Sequence, residues 1–163
     1  MTLIRLSVSS FSLAWLAGII CGPMATIEQQ TKPPAAQCRL DVRIRYAECD
    51  PMGYLHHAKY FEYFELARTE LLREAGIRYR DMEERGFFFV VVRTECRFLR
   101  PARYDDELTI EVRLERMTRA RIDHAYTIYR DGIVLCEATT TLACVNREGR
   151  PIPIPPEISH CEE

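Results

Sequence analysis

A chain of 163 residues, 47% of them hydrophobic, has the length of one domain and enough apolar material for a core. Its 22 basic and 24 acidic residues leave a formal charge of -2, which excludes a global field able to hold a nucleic-acid backbone. The cations are nearly all arginine, with Lys32 and Lys59 the only lysines, so a phosphate contact would use planar guanidinium forks.

Residues 1–37 read as an extension. Arg5 precedes an apolar run from Phe11 to Cys21, the length of a signal-peptide core and too short to span a bilayer, so stable membrane insertion is not expected. The run ends without a small-x-small cleavage site. Translation from Met24 is the simplest reading, with residues 1–23 an upstream region; a targeting segment is the alternative. From Ala25 to Gln37 the chain is polar with a double proline, the composition of a loose arm. The domain itself is read over 38–156, with 157–163 a tail. The seven cysteines, at 21, 38, 49, 96, 136, 144 and 161, are odd in number and lack paired spacing, which favours a reducing, cytoplasmic compartment. No CxxC pair or Cys/His cluster appears, so no metal is expected.

Leu40, Val42, Ile44 and Tyr46 alternate with Asp41, Arg43 and Arg45, which predicts a half-buried strand over 39–46. Pro51 and Gly53 break the pattern into a loop. Tyr60, Phe64, Ala67, Leu71 and Ala75 then recur at helical period, predicting a helix over 57–75 that Gly76 ends. A short helix is expected near Tyr79 to Arg85, and a long strand from Phe87 to Arg100 with Val92, Thr94, Cys96 and Phe98 on one face. Two more alternating strands follow around 107–114 and 122–128. Asp131-Gly132 marks a hairpin into a last strand at 134–145, and the proline-rich end must be extended. One strand, one long helix and four strands joined by short turns make an α+β domain with an antiparallel sheet. Wrapped around one central helix, such a five-stranded sheet is the hotdog architecture.

The segment from Glu48 to Tyr60, continuing through Phe64-Glu65-Leu66-Ala67-Arg68, resembles the 4-hydroxybenzoyl-CoA thioesterase family, particularly its Tol-Pal-associated branch. Members carry an Asp-x-Asp-x-x-Gly loop, a residue seven positions beyond the second Asp, a Tyr, and a Phe-Glu-x-Ala-Arg run. Glu48 replaces the first Asp here, while Asp50, Gly53, His57, Tyr60, Glu65 and Arg68 fall in register; Leu99 to Leu108 resembles the family's turn between strands. The resemblance covers about residues 39–155.

Residue chemistry points the same way. Thioester hydrolysis needs a nucleophile or general base on one side of the carbonyl and hydrogen-bond donors where the oxyanion grows. A carboxylate in a loop just ahead of a helix supplies the first, and the unpaired N–H groups of the helix's first turn supply the second. The resemblance makes Asp50 the catalytic carboxylate and the His57 backbone N–H the oxyanion donor, with Gly53, Tyr60 and Glu65 as substrate-binding positions. Plainer readings stand beside these: Asp50 as a turn former, His57 as an ordinary helix-start residue, Glu65 and Arg68 as an exposed ion pair. Adjacent histidines at a helix start usually diverge, which argues against His56 and His57 as metal ligands, and Cys49 reads as a small loop side chain. Arg119 and Arg121, in the turn from Arg116 to Arg121, are candidates for the CoA phosphates, against a merely solvated hairpin.

The implied activity is acyl-CoA hydrolysis without cofactor, at a site shared between subunits of a homodimer or homotetramer. The rivals are a hydratase or dehydratase of the same fold, whose Gly-His-Phe-Pro loop is absent, and a non-catalytic acyl-CoA-binding or scaffolding module.

Overall fold

A computed structural model of the chain describes residues 37–159, so the extension before Gln37 and positions 160–163 lie outside the described residues. The chain forms β1 (Gln37–Arg43), a 3-10 turn (Tyr46–Glu48), α1 (His57–Glu74), α2 (Tyr79–Glu84), β2 (Phe88–Phe98), β3 (Glu107–Met117), β4 (Arg121–Arg130), β5 (Ile133–Val145) and α3 (Pro156–Ser159). The five strands make one sheet in the order β1-β3-β4-β5-β2, antiparallel throughout. This is the hotdog architecture.

The helix forms where its apolar period places it. Tyr60, Phe64, Ala67 and Leu71 are buried together with Tyr63, which widens the stripe. They meet the inner residues of the sheet; the Phe64 and Tyr126 ring centroids lie 4.6 Å apart. Gly76, at φ +83°, closes the helix in a left-handed cap that a side chain would strain. Asp131 and Gly132, both at positive φ, make the two-residue turn between β4 and β5.

Three details depart from the sequence pattern. β1 stops at Arg43, and Tyr46 lies 80% exposed in the 3-10 turn instead of sharing a buried face with Ile44. Along β2 the register with β5 slips at Val92, with Val91 opposite Leu142 and Arg93 opposite Thr141. The extra residue changes the phase: Phe89 and Val91 share one face before the bulge, and Thr94, Cys96 and Phe98 share one after it, with Val91 and Phe98 still about half exposed at the sheet edge. Finally, the proline-rich end is extended only as far as Pro155, after which α3 buries Ile158 beside Met82, Ile122 and Cys144. Packing therefore continues past residue 156.

Phe64 is 1% exposed and touches both helix and sheet partners. Phe64→Ala is expected to cost about 3–5 kcal/mol through lost burial and the cavity it leaves, read as a lower urea midpoint at unchanged slope.

Candidate active site at the start of the long helix

The loop between β1 and α1 is held by Glu48. Its buried carboxylate accepts the Arg45 backbone N–H at 2.7 Å, the Arg45 guanidinium at 2.6 and 3.0 Å, and the Tyr63 hydroxyl at 2.8 Å. Burial alone would raise the Glu48 pKa; the hydrogen bonds from Arg45 and Tyr63 outweigh it and hold the group below the ordinary glutamate value. Because Tyr63 belongs to α1, the loop is tied to the helix it precedes. The Glu48 carbonyl adds a bond from the His56 N–H, at 2.9 Å.

Two residues on, Asp50 shapes the turn with one side of its carboxylate. Oδ1 accepts the N–H of Met52 at 2.8 Å and that of Tyr54 at 3.1 Å, and Gly53, at φ +78°, reverses the chain between them. Oδ2 has no donor among the described residues. The turn-forming reading of Asp50 is thus correct for one oxygen and leaves the other available.

At the helix start, the His56 ring accepts the Ala58 N–H through Nδ1 at 3.2 Å, and the His56 carbonyl accepts the Lys59 N–H at 2.9 Å. The His57 N–H is left without an acceptor among the described residues. The two histidine rings do not diverge: both are exposed, and their centroids are 4.2 Å apart with His56 capping the helix. No group of three or more ligand-type side chains able to hold a metal occurs among the described residues.

Asp50, His57 and Tyr60 line one cleft of about 310 Å³, with Tyr54, Leu55, Phe98, Leu99, Arg100 and Pro101 as its other walls. Tyr60 is buried edge-on against Phe98, centroids 4.9 Å apart, and burial pushes its phenol up to about 12. The phenol is therefore neutral. The loop from Leu99 to Asp106 is pinned alongside by the Leu55 N–H to the Ala102 carbonyl, at 2.8 Å, and by Arg103 stacked on the Tyr54 ring.

Glu65, Arg119 and Arg121 lie elsewhere in the single chain. Glu65 is two turns along α1 and pairs with Arg68 at 2.8 Å on the wall of a second cavity. Arg119 and Arg121 sit at the hairpin beyond Met117, about 30 Å of strand from the Glu107 end of β3 that lies by the Asp50 loop. The Arg119 carbonyl binds the Ile154 N–H there. Sequence reasoning missed Glu48 as the loop's anchor, although its spacing from Asp50 was the available signal. It also missed Arg100 and the Phe98 wall, and it passed over His124, which no short motif marks.

The family model of the thioesterase-like superfamily matches residues 44–160. The chain belongs to that superfamily. It is 32% identical over 119 residues to the acyl-CoA thioesterase YbgC of Haemophilus influenzae, covering 72% of this chain and 88% of that protein. Among solved structures, a hypothetical protein from Thermus thermophilus is 34% identical with a TM-score of 0.72, over 76% of this chain and 95% of that one. A thioesterase complexed with coenzyme A and Zn, also from Thermus thermophilus, is 29% identical with a TM-score of 0.66, over 76% and 89%. As a member of the thioesterase-like superfamily the chain is a thioester hydrolase, and the matched region contains both the cleft and the second cavity.

Burial, reinforced by the nearby Arg68 charge, lowers the His124 pKa to about 4. An unfolded histidine binds a proton near pH 6.5 that the native ring refuses until about pH 4, so this group makes stability fall as pH drops through that window. The integrated loss is on the order of 3 kcal/mol. Urea unfolding at pH 7 and pH 5 should show the parent losing more stability than His124→Leu over that interval.

Proposed function

We propose that this thioesterase hydrolyses an acyl-CoA to free acid and CoA in the cleft between Asp50 and the start of α1. What supports the reading is that one cleft is lined by both Asp50, whose Oδ2 has no donor among the described residues, and His57, whose N–H has no acceptor among them. The thioester carbonyl oxygen points at the His57 N–H and the positive end of the helix dipole, where the developing oxyanion is stabilised. Asp50 acts from the opposite side. It either takes a proton from the attacking water or attacks the carbonyl carbon itself, giving a mixed anhydride that water then opens. In both routes the C–S bond breaks, the thiolate leaves and is protonated, and water supplies the oxygen of the acid. Gly53 shapes the approach to the carboxylate, and Tyr60 and Phe98 form the apolar wall.

The working unit is a homo-oligomer. β2 is an edge strand whose Val90, Val91, Val92 and Phe98 are 42–52% exposed, and Phe61 and Leu66 of α1 are exposed as well. An open edge with apolar side chains is a template for pairing with a second copy. Antiparallel pairing of β2 with itself sets the Phe98 end of one strand beside the Phe88 end of the other. The Asp50 cleft of one copy then meets the Glu65 cavity of the second. The hairpin carrying Arg119 and Arg121 in that second copy lies at the same end of the joint sheet, between two and three strand spacings from the edge. Their guanidinium groups serve the CoA phosphates from there. The likeness to YbgC supports the Tol-Pal-associated branch. No helix among the described residues is long and apolar enough to cross a membrane, and the five described cysteines are unpaired, which supports a reducing, cytoplasmic setting.

Thiol release from short-chain, long-chain and aromatic acyl-CoAs is the test. Asp50→Asn keeps the turn's acceptor and removes the charge, and should lower kcat by about 10² to 10⁴. A parent that turns over while the variant matches it would remove Asp50 from the mechanism.

A further inference from the structure

Glu48 holds the Asp50 loop from the side of α1, and the loop from Leu99 to Asp106 holds it from the other. Tyr54 is the link. Its N–H donates to Asp50 Oδ1 at 3.1 Å, its carbonyl accepts the Asp50 N–H at 2.7 Å, and its backbone bridges to that of Arg103. The Arg103 guanidinium lies over the Tyr54 ring, 4.6 Å from its centroid, and donates to the Tyr54 hydroxyl at 3.2 Å. Where Arg103 sits, Tyr54 and the Asp50 carboxylate follow.

Arg103 is itself placed by an ion pair. Asp106 Oδ2 accepts the Arg103 N–H at 2.8 Å and the Arg130 Nη1–H at 2.5 Å, and the same Arg130 nitrogen lies 3.5 Å from the Pro101 carbonyl. Arg130 ends β4, and the facing residues of β5 take the start of the loop: the Leu135 carbonyl accepts the N–H groups of Leu99 and Arg100, and the Val134 carbonyl accepts the Arg100 guanidinium. The loop thus hangs on the β4–β5 hairpin. Backbone bonds between Ile44 and residues 105–106 secure its end but leave the Arg103 N–H to the carboxylate. Asp105 stands at φ +69°, a left-handed conformation that a residue with a side chain keeps where its surroundings impose it. The turn therefore leans on its neighbours. With side chains 29% and 23% exposed, the Arg130–Asp106 pair is screened less than a pair in open solvent.

We infer that Arg130, on a strand that contributes nothing to the lining of the cleft, is a positioning residue for thioester hydrolysis, acting through Asp106, Arg103 and Tyr54 on the Asp50 carboxylate. The inference rests on the reading of Asp50 as the catalytic group. Without the ion pair the loop slackens, and a displacement of about an ångström at the carboxylate is enough to cost on the order of 100-fold in rate.

The test measures thiol release on whichever of hexanoyl-CoA, palmitoyl-CoA and benzoyl-CoA the parent cleaves fastest, for Arg130→Met and Asp106→Asn, each alone and combined with Asp50→Asn. Asp106→Asn is the milder change, since it keeps an oxygen for the Arg103 N–H and removes only the charge. Each single variant should lower kcat by about 10- to 100-fold with KM within about threefold of the parent. Added to Asp50→Asn, either should cost less than about twofold, because the group they place is already gone. Arg130→Lys, which keeps the charge without the fork, should recover part of the loss. Full activity in both single variants, or the same fold loss with and without the Asp50 carboxylate, would overturn the assignment. A second readout does not depend on turnover. Amide exchange of Tyr54 and Leu55, followed by NMR, should speed up by about tenfold or more in Arg130→Met relative to the buried Val112 amide of β3; unchanged relative exchange would also overturn it. If Asp50→Asn matches the parent, or no acyl-CoA is cleaved, the catalytic reading fails by that result alone, and the exchange rates still decide whether Arg130 holds the Asp50 turn.

Discussion

A single buried carboxylate organises the cleft. Glu48 collects hydrogen bonds from the Arg45 backbone, the Arg45 guanidinium and the Tyr63 hydroxyl, and so fastens the loop after β1 to the second turn of α1. Hydrogen bonds to a charged group are each worth about 1.5–3 kcal/mol, and removing one partner would leave a buried charge uncompensated. The loop is therefore not free to drift relative to the helix. Asp50 inherits its position from that constraint, and the His56 N–H, bonded to the Glu48 carbonyl, fixes where the helix begins. Reaction in such a site depends on groups held in place before the substrate arrives, since misplacement by even an ångström erodes the advantage of proximity.

The long helix serves both the fold and the site. Tyr60, Tyr63, Phe64, Ala67 and Leu71 supply the apolar face that the sheet needs, and two of these same residues also serve the candidate site: Tyr63 donates to Glu48, and Tyr60 walls the cleft. Core packing therefore fixes where α1 begins relative to the Asp50 loop. A few turns further along, Arg68 and Glu65 leave the core face and line the second cavity. Helix position thus couples the two pockets, one at the start of α1 and one along its length, and the β2 edge is the element that could bring them together across two copies.

Much of the fold was legible in the chain itself. The 3.6-residue stripe from Tyr60 to Leu71, Gly76 and the Asp131-Gly132 turn each have a local cause, and each lies where that cause puts it. The β2 bulge was not legible, because alternation assumes one residue per step and an inserted residue leaves no mark when Val90, Val91 and Val92 are alike. Tyr46 was misread for a similar reason: the period of two continued past the point where the backbone turned. At the candidate site, Asp50 and His57 could be singled out because loop and helix start are adjacent in sequence, and both line one cleft. Glu48 was visible only as a departure from a pattern, since its role depends on Tyr63, fifteen residues away. His124 depends on the pairing of β4 with β5 and on Arg68 across the core, a long-range arrangement that no local spacing encodes.

The most direct measurement is a crystal structure of the full chain with a non-hydrolysable acyl-CoA analogue, in which a methylene replaces the thioester sulfur. The account predicts the analogue's carbonyl oxygen within about 3 Å of the His57 nitrogen, and its carbonyl carbon facing Asp50 Oδ2 directly or across one water. A well-ordered analogue whose carbonyl lies away from the start of α1, with Asp50 turned to bulk solvent, would contradict it.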